Sequence, residues 1–196
     1  MILLLPAIII GLTFHEFAHG WVAYQFGDDT AKRHGRLTLN PIAHIDPLGF
    51  IMLMVARFGW AKPVPVNPYN MRVNPKKGML YVSLAGPLMN FILAVIAAVI
   101  LRAAIASGLN SIIFFQMIYY MVFINLVLAV FNLIPVPPLD GSKILSGLLP
   151  GGQEWLAPIE NYGIIILLIL VFTGFIGTII RTVVLPLAGL LTGLPF

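Results

Sequence analysis

The sequence predicts an all-α polytopic membrane protein with about four transmembrane helices, a re-entrant or interfacial segment and a small extended loop. Of its 196 residues, 60% are hydrophobic and only 9% are charged, and the mean hydropathy is +1.00, which is far from the composition of soluble domains. Four apolar stretches are close to the roughly 20 residues that a helix needs to cross the hydrocarbon core. Most of the cationic residues lie between the first two of these stretches.

The first predicted span, Met1 to Phe26, ends at the turn residues Gly27 to Asp29. No cationic segment precedes its apolar run and no convincing cleavage site follows it, so we expect a retained helix and not a secretory signal. The polar loop that follows contains an apolar stretch, Leu48 to Val55, that is too short to span and predicts a re-entrant or interfacial helix. The prolines of WAKPVPVNPYN then predict an extended path. The loop contains these cations: Lys32, Arg33, Arg36, Arg57, Lys62, Arg72, Lys76 and Lys77.

Three further spans are predicted. Gly78 to Leu101 is followed by Arg102, and Ile112 to Leu133 is broken by the three prolines of IPVPPLDG. Gly163 to Ile180 is closed by Arg181, and the apolar tail after it is either a helical extension or an interfacial piece. Because cations mark cytoplasmic loops, the loop after the first span is expected in the cytoplasm. His19 then lies roughly 12 Å below the cytoplasmic end of its helix, and Asp140 turns back to a similar depth.

Three ionisable residues lie within the first predicted span, in the stretch HEFAH. His15 and His19 are four residues apart, so on a helix they share one face and can both point a ring nitrogen at one ion. Glu16 lies about 100° round the helix, where it can reach a water on that ion. This is the HExxH arrangement of two zinc ligands and a general base. The alternatives are polar groups satisfied by helix packing and a proton relay, but such groups in a membrane cost several kcal/mol unless they gain partners.

A hydrolytic zinc site needs a third protein ligand and an open position for water. The chain has no cysteine, so the third ligand must offer nitrogen or oxygen. Among the nitrogen and oxygen ligands that the chain offers, Asp140 has a distinctive context near the end of FNLIPVPPLDG. The prolines there leave backbone groups without helical hydrogen bonds, and at membrane depth only a water-lined site buried in protein tolerates such groups. The alternative for Asp140 is an N-cap of a helix starting at Gly141. The full candidate set is His34, His44, Asp28, Asp29, Asp46, Asp140, Glu154 and Glu160.

Five motifs occur in order between about residues 10 and 145: FHEFAHGWVAYQFGD, LNPIAHIDPLG, GWAKPVPVNP, SLAGPLMNF and FNLIPVPPLDG. Together they resemble the site-2 protease family, intramembrane zinc metalloproteases of peptidase family M50. The pattern is similar to the compact prokaryotic members, which have no PDZ or CBS domain.

The resemblance implies that His15, His19 and Asp140 bind one Zn²⁺ per chain and that Glu16 activates its water. It also implies that Asn132, eight residues before the aspartate, holds the substrate backbone or the developing oxyanion. An amide donor that is fixed in a dry site suits that role. The alternative for Asn132 is an interhelical hydrogen bond.

Other family positions carry weaker implications. We expect Asn90 in AGPLMN, next to the small residues Ala85 and Gly86, to serve packing and support of the site. The AKPVPVNP segment offers an extended edge with which an unwound substrate could pair as an added strand. A rigid proline-rich connector is the alternative. His44 and Asp46 match the family, but no role for them follows from the sequence.

We therefore predict a single membrane-embedded protease domain, residues 1–196, with a catalytic core in about 1–145 and a C-terminal transmembrane region in 155–196. It is expected in a prokaryotic cell membrane as a multi-pass protein, with its active site towards the cytoplasm and with transmembrane proteins or signal-peptide-like helices as substrates. The lipid bilayer is the other expected partner. No nucleic acid is expected, since no basic stripe is interleaved with aromatics. The competing function is a metal-ion or proton transporter, which should show paired polar sites through both leaflets or a repeat.

Overall fold

The computed structural model describes residues 2–56, 59–151, 156 and 158–194. Within that part of the chain the regular elements are helices, and the extended pairing it contains is an isolated antiparallel bridge between Ile45 and Ala61. The predicted all-α class is therefore confirmed. The helices are α1 Leu5–Gln25, α2 Thr30–Arg33, α3 Pro47–Ala56, α4 Pro75–Ala106, α5 Ile112–Asn132, α6 Asp140–Leu148, α7 Gly163–Phe172 and α8 Phe175–Thr192, with short 3₁₀ turns at Ile2–Leu4, Pro41–Ala43 and Pro68–Asn70.

Three helices of the described chain are long and apolar enough to cross a membrane: α4 with 32 residues, α5 with 21 and α8 with 18. Helix α1 also has 21 residues but is not among them, because its ionisable residues lower its hydropathy. The predicted bounds of the last span are wrong. Gly174 adopts a φ of 77° and ends α7 after ten residues, while α8 begins at Phe175 and continues past Arg181. The apolar tail is thus a helical extension.

Helix α4 is the centre of the fold and packs against α1, α5, α6 and α8. Its buried face is a stripe of mostly small residues at helical spacing, which lets neighbouring backbones approach closely. In its second half, Ala94, Ala97 and Ala98 pack against Leu126 of α5 and Ala188 of α8. The buried residues of the stripe are Gly78, Val82, Ser83, Gly86, Pro87, Asn90, Ala94, Ala97, Ala98 and Leu101.

The polar loop between α1 and α4 folds back over the end of α1. The short helix that was predicted here as re-entrant or interfacial is present as α3, which is ten residues long and so is too short to span. The predicted extended path follows it and ends in the 3₁₀ turn Pro68–Asn70. Pro63 and Pro65 have no backbone N–H and therefore cannot donate the hydrogen bonds of a helix. Just before them, Ala61 pairs with Ile45 in the isolated bridge. The extended segment thus lies beside α1, where its Val64 side chain approaches Gly20.

Candidate metal centre

His15 and His19 present their ring nitrogens to each other from one buried face of α1, with Nε2 atoms 3.0 Å apart. The Nδ1 atom of His15 donates to the side-chain oxygen of Asn90 at 2.6 Å. The Nδ1 atom of His19 donates to the backbone carbonyl of Val82, also at 2.6 Å. Because these oxygens accept, each neutral ring carries its proton on Nδ1 and a lone pair on Nε2. Both histidines are therefore fixed in the tautomer that binds metal through Nε2.

Asp140 joins the two histidines from the first residue of α6. Its Oδ2 atom lies 3.1 Å from Nε2 of His15 and 3.2 Å from Nε2 of His19. The N-cap alternative for Asp140 is wrong, because α6 begins at Asp140 itself and no side chain caps it. Gly141 permits the turn: a Cβ there would lie 2.4 Å from the carbonyl oxygens of Leu133 and Ile134. Only glycine allows the chain to leave α5 and present Asp140 so abruptly.

The three atoms fit a tetrahedrally coordinated cation. Their separations of 3.0, 3.1 and 3.2 Å are close to the roughly 3.3 Å expected between ligands at zinc bond lengths of about 2.0–2.1 Å. Oδ2 of Asp140 is buried and has no hydrogen-bond donor. Such an unpaired buried oxygen is costly, and a cation shared with two imidazole lone pairs removes the cost. Within the described residues, these three side chains form a group of histidine and acidic residues whose ligand atoms lie close enough together to hold one metal ion.

Gly86 of α4 makes room for both rings. A Cβ at this position would lie 2.5 Å from Cε1 and Nε2 of His19 and 2.6 Å from Cε1 of His15. These separations are far below any real contact of a Cβ atom. The close helix contact that was expected at Gly86 therefore has a specific purpose, since α4 can lie against the edges of the histidine rings only without a side chain here.

Glu16 is half-buried and is held by the polar loop. One of its carboxylate oxygens, Oε2, accepts a hydrogen bond of 2.9 Å from the backbone N–H of Val64. Val64 lies between two prolines, so its amide is the single donor in the stretch Pro63 to Pro65. The proline-rich segment therefore contacts the candidate base directly.

Asp28 attaches this segment to the end of α1. Its Oδ1 atom accepts hydrogen bonds from Thr30 and from the Asn70 side chain, and its Oδ2 atom accepts from the backbone N–H of Asn67 at 2.7 Å. Burial raises the pKa of Asp28, but these hydrogen bonds outweigh it and lower the pKa below its ordinary value. Asp28 is thus an ionised structural residue and not a metal ligand.

The remaining third-ligand candidates have other partners or positions. Asp29 pairs with Arg33 at 2.8 Å, and Asp46 accepts from the backbone of Gly49. The ring of His34 bonds the carbonyl of Thr30, while His44 donates from Nε2 to the carbonyl of Thr38. Glu160 is exposed. Glu154 lies outside the described residues.

Asn132, the predicted oxyanion donor, lies at the last position of α5. Its amide nitrogen donates to the carbonyl of Leu128 in its own helix at 3.0 Å, so the interhelical hydrogen bond that was the alternative is not observed. An apolar cleft of about 490 Å³ begins nearby and is lined by Leu12 and Thr13 of α1, Phe50 of α3 and Phe131 of α5, among others.

Sequence reasoning missed two contributors to the site. Asn125 lies fully buried in the middle of α5 and accepts a hydrogen bond from Asn90 at 2.9 Å. An amide side chain within an apolar span was the signal that could have found it, because polar groups in membrane helices usually have a function. The Val64 amide was the other, and a backbone group leaves no such signal in the sequence.

The helical membrane fold and the buried cluster of two histidines and one aspartate, with a glutamate beside the first ligand, define a membrane metalloenzyme of the HExxH type. The chain belongs to peptidase family M50: the family model described as "Peptidase family M50" matches residues 3–112 and 102–174. The predicted family membership is thereby confirmed.

Curated relatives agree with this assignment. The chain is 46% identical to "Putative zinc metalloprotease YwhC" of Bacillus subtilis over 176 residues, which cover 87% of this chain and 80% of that protein. It is 34% identical to "Putative zinc metalloprotease Rip2" of Mycolicibacterium smegmatis over 179 residues, which cover 88% of this chain and 67% of that protein. No solved structure matches the chain significantly.

Proposed function

We propose that this protein is a zinc metalloprotease that hydrolyses peptide bonds within or beside the transmembrane segments of membrane proteins. The observation that carries the proposal is the cluster of His15, His19 and Asp140, in which three buried acceptor atoms lie within 3.2 Å of one another. Family membership and the names of the relatives support zinc as the metal and peptide hydrolysis as the reaction.

Metal binding, proton transfer and stabilisation of the oxyanion are each assigned to particular residues. When bound by His15, His19 and Asp140, Zn²⁺ would polarise the scissile carbonyl and make water acidic enough to attack near neutral pH. Glu16 takes the proton from the attacking water and delivers it to the leaving amine. The hydrogen bond from Val64 holds one carboxylate oxygen and leaves the other to move that proton. We assign stabilisation of the oxyanion to the Asn132 amide.

The proposed substrates are transmembrane or signal-peptide-like helices that enter from the bilayer. The cleft beside α1 and α5 supports this, because its lining is almost entirely apolar and Leu12 and Thr13 lie one helical turn from Glu16. A soluble peptide would gain little from such a surface, whereas an apolar helix would exchange lipid contacts for protein contacts. The extended segment beside Glu16 offers backbone next to the site, where an unwound substrate strand could pair.

We propose that the protein is multi-pass and that its active site opens to the cytoplasm of a prokaryotic cell. The loop that contacts Glu16 is the most cationic part of the chain, and cationic loops remain on the cytoplasmic side. Hydrolysis consumes water, so this proposal also requires a path for water from the cytoplasm to Glu16.

The test is the substitution Glu16→Gln in the full chain. Membranes from cells with the wild-type protein should lack transmembrane fragments that accumulate in cells with the variant, while purified variant and wild-type protein should bind equal amounts of zinc. Identical fragment patterns in the two cells would refute proteolysis with Glu16 as base. Metal or proton flux through reconstituted vesicles, unaffected by the substitution, would favour the transporter.

A further inference from the structure

Two amides on neighbouring helices form a chain of hydrogen bonds that ends at a zinc-ligand candidate. Asn125 donates from Nδ2 to the carbonyl of Met121 at 2.8 Å. Asn90 donates from Nδ2 to the Oδ1 atom of Asn125 at 2.9 Å and to the carbonyl of Gly11 at 3.0 Å. The Oδ1 atom of Asn90 then faces Nδ1 of His15 at 2.6 Å. Both asparagines have no solvent exposure.

Every hydrogen bond in this chain has a fixed direction. A backbone carbonyl can only accept, so the Met121 carbonyl requires the Asn125 amide nitrogen to face it. The side-chain oxygen of Asn125 is thereby turned towards Asn90. Because this oxygen and the Gly11 carbonyl both accept, Asn90 must face them with its amide nitrogen. The oxygen of Asn90 is left for His15.

From this directionality we infer that Asn90 and Asn125 are positioning residues that hold His15 in its metal-binding tautomer. The inference rests on the proposed metal site and deepens it. With an acceptor at Nδ1, the His15 proton stays on that atom and the lone pair on Nε2 remains free for metal. Partners of this kind orient histidine ligands and raise their basicity. A reversed Asn90 amide would face a donor to Nδ1 and favour the tautomer that cannot bind through Nε2.

His19 provides an internal reference. Its Nδ1 proton is held by the carbonyl of Val82, a backbone group whose orientation no side-chain substitution reverses. Changes at Asn90 or Asn125 should therefore act on His15 and not on His19. A merely structural role in joining α4 to α5 would affect both histidines together, because both rings lie between α1 and α4.

The first experiment measures zinc affinity of the full chain in detergent by competition with a chelator. Asn90→Leu, which removes the acceptor, should weaken Zn²⁺ binding about 10- to 100-fold. Asn90→Asp keeps an oxygen for His15 and should bind Zn²⁺ within a few fold of wild type, even if it unfolds at lower temperature. Equal losses in both variants, or no loss in Asn90→Leu, would overturn the inference.

Asn125 is tested by its own pair of variants. Asn125→Leu should lower zinc affinity by less than Asn90→Leu, because the Gly11 carbonyl still orients Asn90. Asn125→Asp should restore it, since a neutral carboxyl at this depth can accept from Asn90 and donate to the Met121 carbonyl. Unchanged affinity in Asn125→Leu would remove Asn125 from the inference. The matched control is Thr192→Val, which deletes a buried hydrogen bond within α8 and should not change zinc affinity.

The second experiment observes the tautomer directly in the zinc-loaded chain labelled with ¹⁵N-histidine. The chain has only four histidines, so their imidazole signals can be assigned by substitution. In Asn90→Leu, the Nδ1 proton of His15 should exchange with water faster while that of His19 is unchanged. If both protons respond alike, the amides serve helix packing alone. Because zinc affinity and proton exchange do not require cleavage, this test stands apart from the test of proteolysis.

Discussion

Replacing Gly86 with alanine should damage the candidate metal site although none of the three candidate ligands is itself substituted. The new Cβ would lie 2.5 Å from Cε1 and Nε2 of His19 and 2.6 Å from Cε1 of His15. Ordinary carbon contacts are about 3.5–4.0 Å, so the rings or α4 must move by roughly 1 Å. A displacement of that size can cost about 100-fold in rate, and it exceeds the roughly 0.2 Å tolerance of zinc bond lengths. We therefore expect Gly86→Ala to lower both zinc affinity and cleavage by about two orders of magnitude.

The control is Gly177→Ala in α8, where a Cβ would meet no atom within 4 Å. Alanine is favoured over glycine in helices by up to about 1 kcal/mol, so this variant should fold at least as well as wild type and bind zinc normally. The assay is zinc competition together with thermal unfolding of both variants in one detergent. Wild-type zinc affinity in Gly86→Ala would show that the rings are not confined by α4 and would refute the reasoning.

Three further outcomes are expected. Gly141→Ala should lower zinc affinity by at least tenfold, since the Cβ would meet two backbone carbonyls at 2.4 Å and displace Asp140; an unchanged zinc titration would argue against it. Asp28→Asn should lower the free energy of unfolding by about 2 kcal/mol at pH 7. Because folding lowers the pKa of Asp28 from 3.8, this contribution is present above that pH and is lost as the pH falls through the folded-state pKa, so denaturation curves of variant and wild type should converge in acid. Asn132→Leu should reduce kcat about 100-fold while zinc remains bound. If single-turnover cleavage is unimpaired, Asn132 has no role in catalysis and its hydrogen bond to Leu128 is structural.

The proximity of His15, His19 and Asp140 could be predicted because polar groups in an apolar segment are energetically costly and two of the three lie one helical turn apart. His15 and His19 are separated by one helical turn, and ionisable groups in an apolar helix need a reason to be there. Asp140 lies more than 120 residues further along the chain, and its proline-broken context suggested a site at membrane depth. In the structure, Oδ2 of Asp140 lies 3.1 Å from Nε2 of His15. The separation of the two residues along the sequence could not have predicted this distance.

The parts that could not be predicted depend on backbone groups and on how helices meet. The Val64 amide, the Val82 carbonyl and the direction of the Asn90 amide carry no trace in residue identity. The bounds of the last span were wrong for a related reason: apolar periodicity continues through Thr173 and Gly174, and only the positive φ of Gly174 interrupts the helix.

Helix α4 contributes no residue to the cluster of His15, His19 and Asp140, yet one of its edges sets the position of both histidine rings. Val82, Gly86 and Asn90 follow one another at intervals of a helical turn and supply an acceptor for one ring, space for both, and an acceptor for the other. The next turns of the same edge are the alanines that face α8. A larger residue at Ala97 would push α4 away from its neighbours, and all three contacts would shift at once. Zinc affinity is thus expected to fall as the side chain at position 97 grows, although this position lies about two helical turns beyond Asn90.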